Sequence, residues 1–248
     1  MKTRLVWTVI LLGIMGAAAA CAGDTAESNR GGVEQPARTR YDGPDPVAGM
    51  GNVYGRIIWN QQGAAGLDVR LCQDFNTFSG CGEPEYRTVT LEDGTYLLAD
   101  VEPGTYALSV RVFDSDDWLY VSGGILSSAD FEVEANDTLV IDTQSIYKLD
   151  VVPTNPPNQT DVVAGPLTLT WDAYPEAAYY EVYLSPDKGD AILVNERVDV
   201  PEVTVGIYPV NCEYRWQIEA FNASGGKIAE MADDYYFAVT DEAASCHL

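Results

Sequence analysis

The sequence predicts an all-β protein with two tandem β-sandwiches, placed after an export signal and a flexible tether. Past Gly49, apolar residues recur at every second position in short runs, and turn residues interrupt these runs about every ten positions. The mature chain sustains no apolar pattern at the helical spacing i, i+3, i+4 and i+7. Runs of alternating residues bury one face each, and paired sheets form a core from such faces.

Residues 1–20 are predicted to be a signal peptide. Lys2 and Arg4 precede a short apolar stretch, and a run of alanines ends at Ala20. The small residues before Cys21 resemble a bacterial lipobox, in which the cysteine becomes an acylated N-terminus. Lipoboxes usually have leucine where this chain has Ala18, so ordinary cleavage and free secretion stay open as the alternative. We therefore expect a cell-envelope protein that faces the extracytoplasmic side.

Residues 21–48 carry hardly any large apolar side chain, which predicts a tether between the acylated cysteine and the folded part. Without residues 1–20 the chain has 12 basic and 38 acidic residues, a formal charge of −26. A polyanion such as nucleic acid would be repelled. Anionic lipid would be repelled as well, so membrane attachment should come from the acyl chains alone. Such a charge also favours a monomer.

Two blocks of strands follow, at 49–150 and 151–240, and residues 241–248 form a tail. Strands are predicted at 53–59, 67–71, 87–91, 95–99, 104–113, 131–134 and 138–141. A second series is predicted at 167–171, 179–184, 191–194, 202–205, 214–221, 227–231 and 235–239. The proline-rich segment 153–158 breaks the pattern and is predicted to be a short, stiff connector.

The cysteines support this division. With Cys21 acylated, four cysteines remain in an oxidising compartment. Of the three ways to pair them, Cys72 with Cys81 and Cys212 with Cys246 is favoured, because each bridge then stays within one domain. Metal ligation is disfavoured, because the chain has no Cys-x-x-Cys spacing and only one histidine.

The first block contains two glycine turns ten residues apart with a tyrosine after each, Asp93-Gly94-Thr95-Tyr96 and Pro103-Gly104-Thr105-Tyr106. Through these turns it resembles the carboxypeptidase regulatory-like (prealbumin-like) sandwich over about 52–146. It implies a spacer, an interaction surface or a carbohydrate-binding unit, and no catalytic residues.

The second block contains the runs Pro166–Trp171, Tyr180–Leu184 and Tyr214–Asn222. Through these runs it resembles a fibronectin type III domain over about 153–239. It implies that Trp171 lies between the sheets and that Tyr214 is a corner tyrosine with its ring in the core. Alternation then turns Trp216, Ile218 and Ala220 inward on one strand, and Tyr180, Val182 and Leu184 inward on another.

Candidate binding residues are exposed aromatic side chains beside carboxylates. Trp118 and Tyr120, next to Asp116 and Asp117, are the leading candidates for a sugar platform. Further candidates are Trp59, Tyr179, Tyr183 and Tyr235. The acidic run with Asp114, Asp116 and Asp117 could ligate calcium, but it lacks the glycine and terminal glutamate of an EF-hand loop and is better explained as a solvated turn.

The sequence thus predicts a non-catalytic lipoprotein that needs no cofactor and acts as an interaction or adhesion module. Its partner would be a protein or a glycan at the cell surface. A carbohydrate-binding lipoprotein is the first alternative, and a structural spacer within a surface assembly is the second. Enzymatic activity is not expected, because the chain has neither a Gly-x-Ser-x-Gly motif nor a histidine outside its tail.

Overall fold

The structure is a computed structural model that describes residues 40–73, 75–76, 80–120, 131–207 and 212–240. Every regular element in these ranges is a β-strand, which confirms the all-β prediction. Across the same ranges, no helix has the length and the apolar character needed to cross a bilayer. The signal peptide, Cys21 and Cys246 lie outside the described residues.

The strands of the first sandwich are β1 (Gly51–Trp59), β2 (Gln62–Gly63), β3 (Asp68–Cys72), β4 (Phe75–Asn76), β5 (Gly80–Cys81), β6 (Glu85–Val89), β7 (Thr95–Val101), β8 (Gly104–Arg111), β9 (Trp118–Tyr120), β10 (Phe131–Val133), β11 (Thr138–Val140) and β12 (Gln144–Ser145). One sheet is built around β1, which pairs antiparallel with β7 and β2 and parallel with β11 and β12. The other has the order β10-β8-β3-β6, with β9 added to β8.

Inward side chains of both sheets form the first core. Ile57 from β1, Leu71 from β3, Tyr96 from β7 and Leu108 from β8 are each no more than 1% exposed. On β7 the buried residues Tyr96 and Leu98 alternate with less buried ones, as the period of two predicted, whereas β8 buries five consecutive residues from Tyr106 to Val110.

The predicted Asp93-Gly94 turn joins β6 to β7. Gly94 has φ +81°, and a Cβ there would lie 2.0 Å from the backbone oxygen of Ile57. Only glycine fits this position, because it needs both a left-handed conformation and close backbone approach. Asp93 Oδ1 accepts hydrogen bonds from the amide and the hydroxyl of Thr95, which close the turn.

Cys72 and Cys81 form the predicted disulfide, with 5.6 Å between their Cα atoms. The bridge ties the end of β3 to β5, across the small hairpin of β4 and β5. Cys212 is disulfide-bonded as well. Its pairing with Cys246 stays a prediction.

The strands of the second sandwich are β13 (Pro153–Asn155), β14 (Thr160–Val163), β15 (Gly165–Trp171), β16 (Tyr179–Pro186), β17 (Leu193–Val198), β18 (Glu202–Ile207), β19 (Cys212–Phe221), β20 (Lys227–Glu230) and β21 (Tyr235–Thr240). A sheet with the order β13-β15-β18 faces a larger one with the order β14-β21-β19-β16-β17, and β20 pairs with β19. The two sheets form the second predicted β-sandwich.

The second core confirms the inward positions predicted for this sandwich. Trp171 is 4% exposed, and Tyr214 and Trp216 are fully buried. The ring of Trp171 meets that of Tyr180 edge-on at 5.2 Å, and the ring of Tyr214 stacks on that of Phe237 at 5.2 Å. The first pair joins the two sheets and the second lies within the large sheet, so aromatic rings fill much of this core.

The structure corrects the predicted connector. Pro153 and Asn155 belong to β13 and pair with Trp171 and Thr170 of β15, so this segment is part of the second sandwich. The chain crosses between the sandwiches just before it, where the amides of Lys148 and Val151 donate to backbone oxygens of Ile228 and Glu230.

The predicted tether is also shorter than expected. The Tyr41 ring packs on Tyr54 at 4.9 Å between centroids, and the amide of Val47 donates to Asp100 Oδ1 at 2.9 Å. The buried Asn52 side chain donates to the backbone oxygen of Pro44 at 3.0 Å. Residues 41–48 therefore form a strap on the first sandwich and cannot act as free spacer.

Trp59 connects the two sandwiches. It ends β1 and packs partly buried against both cores, and its indole Nε1 donates to the backbone oxygen of Ile228 at 2.8 Å. The ammonium group of Lys148 lies 4.3 Å from the centre of its ring. The prediction that Trp59 presents a ring to sugars is wrong, because the junction occupies it.

Candidate interaction face of the second sandwich

The large sheet of the second sandwich has an outer face with several aromatic rings. Alternation on β16 and β19 buries every second residue and turns the others outward. The residues of this face, called the tyrosine face below, are Tyr179, Glu181, Tyr183 and Ser185 of β16, Arg197 of β17, Arg215, Gln217, Glu219 and Phe221 of β19, and Tyr236 of β21. The register places them in rows, with Tyr179 opposite Phe221, Tyr183 opposite Gln217, and Arg215 opposite both Ser185 and Tyr236.

At one end of the tyrosine face, Tyr179 is held from both sides. Its ring stacks on Phe221 with 5.0 Å between centroids and an angle of 3° between the planes. The guanidinium carbon of Arg197, on the neighbouring strand, lies 3.9 Å from the centre of the same ring. Stacking and cation–π attraction therefore fix three side chains that project from adjacent strands.

Tyr183 and Arg215 form the middle of the face. The guanidinium carbon of Arg215 lies 5.1 Å from the ring centre of Tyr183, and its Nη1 is 3.2 Å from Asp234 Oδ2. Hydrogen bonds with Ser185, and then with Arg215, lower the pKa of the Tyr183 hydroxyl because they favour its ionised form. Beside these two residues, a shallow hollow of about 260 Å³ extends to Glu213 and Tyr236.

A charged cluster lies at the edge of the face nearest the junction. Lys227 Nζ is 2.9 Å from Glu219 Oε1 and 2.8 Å from Glu230 Oε2, and it lies 3.8 Å from the ring centre of Tyr147. Burial by itself would lower the pKa of Lys227, but hydrogen bonds with Glu230 and Glu219 outweigh it and raise that pKa. The cluster joins the segment between the sandwiches to the large sheet of the second sandwich.

Tyr235 does not take the outward position expected of it. Tyr235 pairs with Trp216, meets its ring edge-on at 6.2 Å and packs against the core. The expected outward position of Tyr235 is therefore wrong, and Tyr236 takes that position. Two adjacent tyrosines always point to opposite faces, but only the pairing with β19 decides which of them is buried.

The leading candidates from the sequence, Trp118 and Tyr120, lie on β9 of the first sandwich and not on the tyrosine face. The ring of Trp118 is half-buried, and the guanidinium carbon of Arg70 lies 3.9 Å from its centre, with that of Arg87 at 5.6 Å. The side chain of Tyr120 lies outside the described residues. A sugar platform at Trp118 stays a prediction, and the structure shows an arginine against the ring.

The carboxylates beside Trp118 form a turn. Asp116 pairs with Arg111 Nη2 at 2.5 Å, and the amide of Asp117 donates to Ser115 Oγ at 3.0 Å. Asp114, the third calcium candidate, is exposed in the same turn. Among the described residues, no group of three or more histidine, cysteine, aspartate or glutamate side chains has an arrangement that could hold a metal ion.

Comparisons with known proteins give only distant similarities. No protein-family model matches the chain, and no curated protein matches it. The chicken CNTN1 FN1-FN3 domains are 14% identical, with 80% of this chain and 69% of that chain covered and a TM-score of 0.29. A segment of two fibronectin type III domains from chicken tenascin is 10% identical, with 78% and 94% covered and a TM-score of 0.27.

A DUF3823 family protein from Bacteroides uniformis is 13% identical to this chain. The alignment covers 76% of this chain and 96% of that one, and the TM-score is 0.24. At these identities and TM-scores, none of the three structures supports a function for this chain.

Proposed function

We propose that this chain is a non-catalytic cell-envelope lipoprotein, acylated at Cys21, that binds a protein partner through the tyrosine face. The observation that carries the proposal is a set of aromatic rings on β16 and β19 that two arginines hold in place. Arg197 of β17 lies over Tyr179, and Arg215 of β19 lies over Tyr183. Tyrosine and arginine supply much of the binding energy in protein interfaces, because they offer large contact areas. Side chains that are ordered before binding lose less conformational entropy when a partner arrives.

A protein partner is favoured over a glycan by the state of the ring faces. Sugar rings stack on an open aromatic face, but Tyr179 has Phe221 on one side and Arg197 on the other. Arg70 lies against the ring of Trp118 as well. These rings are better suited to edge and side contacts with protein side chains.

The charge of the chain favours a basic partner. The formal net charge is −24, and Lys227 and Arg215 on or beside the tyrosine face are already paired with carboxylates. Glu181 and Glu213 add further acid to the surface around Tyr183. A lysine-rich or arginine-rich surface would be attracted at long range and would pair with these groups on contact.

In this proposal the first sandwich, with its carboxypeptidase regulatory-like features, holds the tyrosine face away from the membrane. Intact-mass spectrometry of the membrane fraction, before and after reduction, tests the anchor by showing acylation at Cys21 and by counting the disulfides. An unmodified Cys21 would overturn the anchor and leave the binding face untouched.

The binding face is tested with a photo-crosslinking residue at position 183 in the full-length protein in intact cells. The control position is Thr204, which is exposed on the opposite sheet and hydrogen-bonded to Thr168. We expect a protease-sensitive adduct at 183 only, with a yield that falls about tenfold in an Arg215→Ala background, as loss of a contact hot spot predicts.

Two results would overturn the protein partner. One is equal adduct formation at positions 183 and 204. The other is binding of the purified protein to a glycan array that is lost in Tyr183→Ala, which would assign the face to carbohydrate.

A further inference from the structure

The first sandwich closes by pairing its first strand with its last strands in the parallel direction. Val53 of β1 pairs with Leu139 of β11, and Ile58 pairs with Ser145 of β12. Backbone hydrogen bonds continue this ladder, from the amide of Ile141 to Tyr54 at 2.8 Å and from the amide of Ile146 to Ile58 at 2.9 Å. The contact between the entering and leaving segments thus runs almost the full length of β1.

The parallel direction of these strand pairs determines how the ladder responds to a force applied at the chain ends. A pull on the N-terminus draws β1 backwards along its axis, while a pull on the C-terminal side draws β11 and β12 forwards. The two directions are opposite, so the hydrogen bonds of the ladder are loaded in shear and must break together. If the end strands were antiparallel, both pulls would act at the same end of the pair and would open it one bond at a time.

The same closure recurs in the second sandwich. Its early strand β14 pairs in parallel with the last strand β21, from Thr160 opposite Phe237 to Val163 opposite Thr240. Between the sandwiches, the backbone bridge of Lys148 with Ala229 is parallel as well. Tension along the chain therefore meets a sheared contact in each sandwich and another at the junction.

Two further hydrogen bonds at the start of β1 add to the first of these contacts. The amide of Gly49 donates to Asn136 Oδ1 at 2.8 Å, and the amide of Asn52 donates to the backbone oxygen of Asp137 at 2.9 Å. These bonds fasten the start of β1 to the turn that precedes β11.

We propose that the first sandwich is a load-bearing element that resists extension between its two ends. Its use in the envelope, carrying force from the lipid anchor to a bound partner, rests on the proposed function. The mechanical property itself rests only on the strand register.

Single-molecule force spectroscopy tests the proposal with two pulling geometries on the same folded chain. In the first, handles at the N- and C-termini load β1 against β11 and β12. In the second, handles at the N-terminus and at an introduced Glu102→Cys pull β1 against β7. Because Gly51 pairs with Val101 in antiparallel fashion, both attachment points of the second geometry lie at the same end of the pair.

We expect the first sandwich, identified by the length of chain it releases, to need roughly twice the force in the end-to-end geometry, with a correspondingly slower forced unfolding rate. Both geometries are measured on the Glu102→Cys chain, so the stability is the same and a difference in force reports direction alone. Equal forces, or a weaker end-to-end geometry, would overturn the proposal and would leave the binding face and the anchor unaffected.

Discussion

The two sandwiches use their first strands differently. In the first, β1 is nine residues long and pairs with four other strands, so it lies at the centre of its sheet. In the second, the first strands β13 and β14 are three and four residues long and each occupies a sheet edge, while the central strands β16 and β19 turn the tyrosine face outward. The first sandwich is therefore built around its first strand, and the second around an outer surface.

The largest expected effect follows from a change in the second core. Trp216 is fully buried, so Trp216→Ala should lower the free energy of unfolding by about 3–5 kcal/mol through lost burial and a cavity. Hydrogen exchange should become faster in β16, β19 and β21 and stay unchanged in β3 and β8. The exposed neighbour Gln217→Ala is the control. Equal acceleration in β3 and β8 would show that the sandwiches unfold as one unit.

A change at the junction should have the next largest effect. Trp59→Ala removes the hydrogen bond to Ile228 and the packing on both cores, and should cost about 2–3 kcal/mol. Calorimetry should then resolve two unfolding transitions that lie further apart than in the unmodified chain. Trp59→Phe keeps a ring but loses the donor, so it should cost about 1 kcal/mol. Unchanged transitions in Trp59→Ala would contradict the coupling.

The stability of the second sandwich should fall at high pH because of Lys227. Lys227→Met should cost about 1–2 kcal/mol near neutral pH, since Glu219 and Glu230 lose their partner. The folded-state pKa of Lys227 is raised above its ordinary 10.5, so its contribution is complete below that pH and is lost as the pH rises through the folded pKa.

Urea unfolding checks this sign. The difference in unfolding free energy between the unmodified chain and Lys227→Met should be constant at neutral pH and should shrink above pH 10.5. A difference that grows with rising pH would contradict the assignment.

The smallest effect is expected in the first sandwich, at low pH. Hydrogen bonds from the Thr95 hydroxyl and amide lower the pKa of Asp93 below its ordinary 3.8. Its stabilising effect is therefore present above that value and is lost as the pH falls through the folded pKa. Asp93→Asn should change the unfolding free energy by less than about 1 kcal/mol at pH 7. It should also make the unfolding free energy vary less with pH in acidic solution. The exposed Glu92→Gln serves as the control, and equal behaviour of the two variants would rule out the role of Asp93.

Much of the fold could be predicted because the signals are local. Alternation on β16 and β19 indicated which side chains are buried, and the Asp93-Gly94 turn was recognisable from two residues. Cys72 and Cys81 lie nine positions apart, so their pairing needed no knowledge of distant strands. Trp59 was assigned to sugar binding although a signal for its burial existed, since it follows Val53 and Ile57 on the inward side of β1.

The candidate site was harder to predict because it depends on neighbours that are distant in the sequence. Tyr183 was a candidate, but its contact with Arg215 requires β16 and β19 to be paired in one register. Tyr236 was missed because only the pairing of Tyr235 with Trp216 turns it outward. Strand β9 was missed because the segment around Trp118 is too short to show a period, and only its pairing with β8 makes it a strand.

The sequence by itself determined that this chain is all-β, that it has two cores, and which residues of most strands enter them. Only the tertiary structure decided that the end strands run parallel, that Trp59 joins the sandwiches and that the tyrosines and arginines share one face. The physical reason is that the burial of a side chain follows from a period of two along its own strand. The choice of neighbouring strand depends on register and on closing long loops, which no local pattern records.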